Sequence, residues 1–306
     1  MPVKEIGGRR SGKPQAGETR ELLLRALRPW MVLALVCGLF SLHSGFRETF
    51  WTASYLPNVL QQAATNIILA TGLTFVILTG GIDLSVGSVM ALCGVALGLT
   101  VTEGPPAFLA GVMALPPAAI LAVVVGRWMA SRGVSGGGVL AGTAAALAVG
   151  MVCLGFGILR GTAGGVRLEG AILAALGVGV GCGLLNGAVV ALGKVPSFVV
   201  TLGMLTAARG LTVYATDGNS VSGLPRRLGE LGQGWPLVAI ALGVVVLAGV
   251  LQTRTRTGRM IQAIGANEEA ARLSGVNVVL NKLLAYVLSG LTAGIAAVVL
   301  TAKFQV

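Results

Sequence analysis

The sequence predicts an all-α polytopic membrane protein, and three observations carry that prediction. Hydrophobic residues fill 55% of the 306 positions and charged residues 11%, giving a mean hydropathy of +0.86. Apolar runs follow one another along the chain, each near the ~20 residues that a helix needs to cross a bilayer. The basic residues collect in a few of the segments between these runs, which is the pattern that sets membrane orientation. A net charge of +11 is therefore read as topology and not as a nucleic-acid footprint.

Residues 1–28 form a basic arm. Between Glu18 and Trp30 the apolar Leu22, Leu23, Ala26, Leu27 and Trp30 recur at helical spacing opposite Arg20, Arg25 and Arg28, as in an interfacial helix. The apolar run starts too late, and lacks the small-residue cleavage site, for a removed signal peptide. Residues 29–306 read as a single transmembrane domain with about nine spans, at 29–44, 59–79, 84–101, 107–126, 138–159, 170–192, 196–215, 235–252 and 281–302. Pro116-Pro117 kinks the fourth. Arg209, inside the seventh, must snorkel, find a partner or mark an earlier helix end at Arg209-Gly210, and the helix end is the favoured reading.

A cytoplasmic N-terminus puts Arg127, Arg132, Lys194, Arg254, Arg256, Arg259 and Arg272 on the side of the arm. It leaves Arg47, Arg160, Arg167, Arg226, Arg227 and Lys303 opposite. Cys37, Cys93, Cys153 and Cys182 each stand alone in an apolar run, without disulfide or metal spacing, and read as packing residues. Three stripes of small residues invite close helix contact: Gly87, Ala91, Gly94 and Gly98; Gly179, Gly183 and Gly187; and Gly290 with Gly294.

The stretch TGGIDLSVGS, from Thr79 to Ser88, interrupts this pattern. A carboxylate at the centre of a membrane helix costs ~2.5–3.5 kcal/mol, so Asp83 is expected to face protein or a water-filled cavity. Gly80 and Gly81 permit a helix break, and Asp83 or Ser85 can accept from the first amides of a helix restarting at Leu84. This segment, with Ser88, either caps a helix inside the bundle or lines a solute path. Gln62 and Asn66, one turn apart on the second span, and Asn186 on the sixth present further polar groups, for interhelical bonding or for that path.

The longest polar stretch on the basic side is 253–280. Within it Asn267 caps a short helix, Glu268 and Glu269 occupy its first turn, Glu268 pairs with Arg272, and Gly275 takes the left-handed closing position. Such a helix suits docking on a soluble partner; a solvated loop helix without a partner is the plainer reading.

Three blocks of these residues resemble the permease subunits of ATP-binding-cassette sugar importers of the ribose and xylose type. They are TGGIDLSVGS at 79–88, the pair NGAVVALGKVPSFVVTLGMLTAARG at 186–210 and TDGNSVSG at 216–223, and RTGRMIQAIGANEEAARLSGVNV at 256–278. KVPSFVVTLGML and TDGNSVS look most like xylose-type members. The resemblance implies a multi-pass protein of the bacterial inner membrane, in contact with membrane lipid, importing a monosaccharide, a pentose such as xylose or ribose. It implies three partners: a second permease copy, in a homodimer or heterodimer; a cytoplasmic ATPase with two nucleotide-binding domains; and an extracytoplasmic sugar-binding protein. It assigns Gly265, Asn267, Glu268, Glu269, Arg272 and Gly275 to ATPase coupling. ATP and magnesium belong to the ATPase; this chain needs no cofactor or metal, is not an enzyme, and has no GxxxxGK[ST] phosphate loop. Against the family pattern, 107–169 looks like an inserted helix pair, and members continue past the position of Val306 with further spans, one of them glycine-rich.

Three other readings are weighed. An intramembrane aspartyl hydrolase would want a second membrane carboxylate beside Asp83, and a metal or Ser-His type more than the one histidine, His43. A permease of the same family for another small solute, or a truncated subunit that only docks or regulates, also fits these residues.

Overall fold

The computed structural model describes residues 16–42, 45, 52, 55–102 and 168–305. The chain divides into two compact units, Met1–Val59 and Leu60–Val306. In the first, α1 is one helix, Ala16–Ser41. The interfacial arm and the first span are thus not separate elements: the helix runs through Pro29, and its 26 residues extend about 39 Å.

The second unit is built around the last helix. The elements, in order, are α2 (Tyr55–Leu78), which starts just before the unit boundary, α3 (Val86–Thr102), α4 (Leu168–Gly193) and α5 (Ser197–Thr216). After these come α6 (Arg226–Gly229), α7 (Gly234–Arg254), α8 (Arg256–Ala266), α9 (Glu268–Leu273) and α10 (Val278–Phe304). Among the described residues five helices are long and apolar enough to cross a membrane, namely α2 from Pro57, α4, α5, α7 and α10. Trp30–Ser41 of α1 and the 17-residue α3 are shorter apolar helices. These seven coincide with expected spans. The spans at 107–126 and 138–159, the Pro116-Pro117 kink, Cys153, and Arg47, Arg127, Arg132, Arg160 and Arg167 lie outside the described residues.

Two of the three glycine stripes meet each other. A Cβ on Gly179 would overlap the carbonyl oxygen of Gly290, one on Gly290 the carbonyl of Gly179, and one on Gly183 the carbonyl of Tyr286. Gly187 lies against Leu283 and Gly294 against Leu176, so α4 and α10 run antiparallel with their backbones in contact. Lipid supplies no hydrophobic drive for helix association, so close packing of small residues has to supply it. Gly72 of α2 adds a contact that the stripes did not announce, because a side chain there would strike Thr292 and Ser289 of α10. The first stripe differs: Gly87 has nothing within 4 Å, and Gly98 faces Val221 of the segment after α5. Between them Gly94 faces Thr301 of α10, so this stripe, unlike the other two, brings no two backbones into contact.

Around α10, Val89, Leu92, Cys93 and Leu97 of α3 pack with Val178 and Cys182 of α4 and Ala293 and Ala297 of α10. Ile68 of α2 packs with Leu237 and Ala241 of α7 and Val299 of α10. Cys93 and Cys182 are buried and reduced, in keeping with packing roles. Arg209 does not end α5. It is exposed on the outward face of a helix that continues to Thr216 and stops only where Asp217 (φ 49°) and Gly218 (φ 75°) turn left-handed. An arginine whose long stem can run along a helix surface does not require the helix to stop.

The antiparallel course sorts the described loops to two ends. Lys194, Arg254, Arg256, Arg259 and Arg272 fall at the end where α10 begins, and Arg226, Arg227 and Lys303 at the end where it finishes.

Candidate functional site

The break after α2 closes with two paired hydrogen bonds. Gly81 N–H donates to the Val76 carbonyl (3.1 Å) and Gly80 N–H to that of Ile77 (2.9 Å), with Gly80 at φ +77°. This is a Schellman closure, and the positive φ is what requires glycine there. Gly81 is small for another reason: a Cβ would lie 2.8 Å from the Tyr286 hydroxyl and 3.1 Å from Val76 Cγ1.

Backbone groups of a non-helical stretch inside a membrane bundle need partners. The first turn of α5 provides two of them. Ile82 N–H donates to Ser197 Oγ (3.1 Å), and the Ile82 carbonyl accepts from Thr201 Oγ1 (3.2 Å). The helix restarts at Val86, two residues later than expected, because Asp83 turns its carboxylate back on Ser85: Oδ1 accepts from Ser85 N–H (3.0 Å) and Ser85 Oγ (2.6 Å).

The other carboxylate oxygen reaches across the bundle. Asp83 Oδ2 accepts from Ser289 Oγ of α10 (2.8 Å), and Asn186 Nδ2 of α4 donates to Ser85 Oγ (2.9 Å). Asp83 is 9% exposed, and Ser85, Asn186 and Ser289 are 1% exposed each, so four polar side chains from the break, α4 and α10 form one buried cluster. Satisfied donors offset most of the cost of burying a carboxylate. The crevice beside the cluster is too narrow to admit a water molecule. Among the described residues Asp83 is the one buried carboxylate.

A larger cavity, about 880 Å³, lies on the α8–α9 side of the break. Gly80, Gly81 and Tyr286 line it on one side, and Gly265, Asn267 and Glu268 on the other; Asp83 does not. Gly265 sits flush against the last turn of α2, where a side chain would collide with the Leu78 carbonyl oxygen. The 253–280 loop thus bears directly on the helix that leads into the break. Replacing Gly265 by alanine is expected to lower stability by roughly 1–3 kcal/mol, the usual cost of overpacking. Gly210→Ala, with nothing within 4 Å, should leave it unchanged or improved. Thermal unfolding of the two purified variants checks this.

Within the loop, Asn267 Oδ1 accepts from Ala270 N–H (2.9 Å) and caps α9. The helix closes with Val276 N–H on Ala271 (3.0 Å) and Gly275 N–H on Arg272 (3.0 Å), Gly275 having φ +83°. The ion pairs differ from the expected Glu268–Arg272 pair. Arg272 instead binds Glu269 through two nitrogens (2.6 and 3.1 Å), and Glu268 pairs with Lys282 of α10 at 2.7 Å. Arg272 is three residues from Glu269, a spacing as favourable as four, and Lys282 takes the other carboxylate. The Arg272 hydrogen bond holds the Glu269 carboxyl below its usual range. A carboxyl depressed on folding contributes stability above its ordinary pKa, and that contribution fades as pH falls through the lowered one.

The remaining expected residues do not join the cluster. Gln62 and Asn66 are exposed on α2, and Ser88 is buried one turn into α3 without touching either cavity. Sequence reasoning missed Ser289, Tyr286, Ser197 and Thr201. Ser289 was open to detection as a hydroxyl one residue before Gly290 in an otherwise apolar span. The Ser197 and Thr201 contacts had no local signal, since their partner is a backbone more than a hundred positions away.

The family described as "Branched-chain amino acid transport system / permease component" matches residues 55–134 and 130–306. The chain belongs to this family. The ribose import permease protein of Escherichia coli strain K12 is 32% identical over 281 residues, covering 87% of this chain and 67% of the relative. That of Bacillus subtilis strain 168 is 29% identical over 291 residues, covering 92% and 70%. The galactofuranose transporter permease protein of E. coli K12 is 32% identical over 253 residues, covering 81% and 56%. The matches thus span about two thirds of each ribose permease and somewhat more than half of the third relative. No solved structure gives a significant match. The resemblance to sugar-importer permeases holds, and with it a multi-pass protein of the bacterial inner membrane. Its xylose-type wording gains no support from relatives named for ribose and galactofuranose.

Proposed function

We propose that the chain is the transmembrane permease subunit of an ATP-driven importer for a monosaccharide, ribose being the first to test. The observation that carries the reading is the α8–α9 loop. It is a capped helix pinned to α10 by Glu268–Lys282, with Gly265 against the end of α2 and Leu273 78% exposed beside the acidic first turn. An exposed leucine among charges, on a loop with no slack, suits a partner that grips it from solution. The partner is a cytoplasmic ATPase with two nucleotide-binding domains, carrying ATP and magnesium. In this reading the heavier basic end faces the cytoplasm, as the charge distribution of the sequence predicts. An extracytoplasmic sugar-binding protein and a second permease copy complete the importer.

In this reading the permease performs no covalent chemistry. ATP binding and hydrolysis on the partner favour one of two permease conformations, and differential affinity for those states is the source of work. Force on α9 reaches α2 through Gly265 and α10 through Lys282, and both helices bound the Thr79–Ser85 break.

The test is ATP hydrolysis and sugar uptake by the chain in liposomes with its ATPase, with and without binding protein loaded with ribose, xylose or allose. Stimulation by one loaded binding protein names the solute; ATPase that binds but answers to none removes the sugar reading. Glu268→Lys with Glu269→Lys is expected to weaken ATPase co-purification at least tenfold while membrane insertion stays intact. The exchange Glu268→Lys with Lys282→Glu keeps the internal pair, so loss of co-purification there too assigns the effect to docking. Unchanged co-purification in both removes the docking role.

A further inference from the structure

A third cavity, of 230 Å³, lies at the opposite end of the bundle from α8 and α9, between α3, α5, the segment after α5, and α10. It holds about eight waters at ~30 Å³ each, which is room for one small solute. Its shape follows from two sequence features left without a role. The left-handed Asp217 and Gly218 fold Asn219, Ser220 and Val221 back to form one wall. Ala91 and Gly94 of the glycine stripe on α3 form another. A Cβ on Gly94 would come within 3.0 Å of Thr301 Oγ1, so glycine there keeps that hydroxyl uncovered.

Thr301 is the informative residue. It is 6% exposed and lines the cavity, yet its hydroxyl makes no hydrogen bond among the described residues. Thr212 and Thr216 across the cavity donate back to their own helix, at 2.8 Å to Ala208 and 3.1 Å to Thr212. Their oxygens keep lone pairs for an incoming donor. A free hydroxyl nine-tenths buried, two acceptor hydroxyls, and the Asn219 amide and Ser220 hydroxyl at the rim make a lining that donates and accepts. No charged side chain is part of it; Met90, Val95 and Leu300 supply apolar wall. A charged solute would lose its hydration there without compensation. A neutral solute bearing several hydroxyls would match each group.

We propose that this cavity is a binding station for one neutral polyhydroxylated solute, a monosaccharide, within the permease itself. The inference rests on the sugar-importer reading and deepens it by placing a contact site on this chain. The station binds weakly, because a solute in transit must also leave.

The test is saturation-transfer NMR on the purified chain in lipid nanodiscs, without ATPase or binding protein, using D-ribose, D-allose and D-galactose as probes. At least one sugar is expected to show transfer from the wild-type chain. Thr301→Val, of equal size and lacking the hydroxyl, should reduce it about fivefold or more. Ala91→Phe, which fills the cavity from an exposed α3 position, should abolish it. Gly203→Ala, which meets nothing within 4 Å, should not change it. Transfer that persists in both Thr301→Val and Ala91→Phe overturns the site while leaving the importer reading intact. Absence of transfer from every sugar also overturns it, and the importer reading then stands or falls on the liposome uptake experiment alone.

Discussion

Gly179→Val is expected to leave the chain largely unfolded or aggregated in detergent, and Gly290→Val to do the same, whereas Gly87→Ala should be indistinguishable from the unaltered protein or slightly more stable. At 179 and 290 the atom in the way is the other helix's backbone carbonyl, which cannot turn aside as a side chain can. Overpacking of a side-chain core costs ~1–3 kcal/mol. Backbone against backbone belongs at or above the top of that range, since α4 and α10 must separate along the whole seam. The loss spreads, because Ser289 adjoins Gly290 and carries the α10 contact to Asp83, and Asn186 adjoins Gly187 and carries the α4 contact to Ser85. Size-exclusion profiles and thermal midpoints of the three variants check this. Equal behaviour of Gly179→Val and Gly87→Ala would remove the interlocked seam.

The same comparison marks how far sequence can be read here. Composition and run length are properties of single helices, and seven expected spans coincide with helices for that reason. Glycine stripes announce that some seam exists, but all three look alike along the chain; only the fold shows that two of them meet and that the third opens on a cavity. Caps are local, so Asn267 and Gly275 were legible from neighbouring residues alone. Ion-pair choice was not, because Glu268 and Glu269 both lie within helical reach of Arg272 and the decision came from Lys282, on another helix. Asp83 was legible as a group that must be hidden from lipid. Its partner Ser289, 206 positions on, was not. Arg209 misled because a charge in an apolar run reads as an ending, while α5 offered it an exposed face.

Asp83→Ala is expected to be the most damaging single change at the break, and comparison with Asp83→Asn tells what the carboxylate does. Alanine removes the acceptor for three donors at once, Ser85 N–H, Ser85 Oγ and Ser289 Oγ. Each buried donor left unpaired costs ~1–3 kcal/mol, so the total is on the order of 5 kcal/mol, comparable with the whole stability of many domains. Ser85 would then lose its fixed orientation, and with it the acceptor that holds Asn186. Asparagine keeps one oxygen for Ser85. Its amide nitrogen would face Ser289, whose hydroxyl can turn and accept, so about 1–2 kcal/mol is expected there. If the cluster serves to join the break to α4 and α10, Asp83→Asn should assemble and retain most sugar uptake in liposomes while Asp83→Ala retains neither. If Asp83→Asn assembles normally but transports no better than Asp83→Ala, hydrogen bonding alone is insufficient and the negative charge takes part in the conformational cycle. That outcome would turn attention to Gly81 and Tyr286, which line the cavity toward α9 while Ser289, one turn further along α10, holds Asp83.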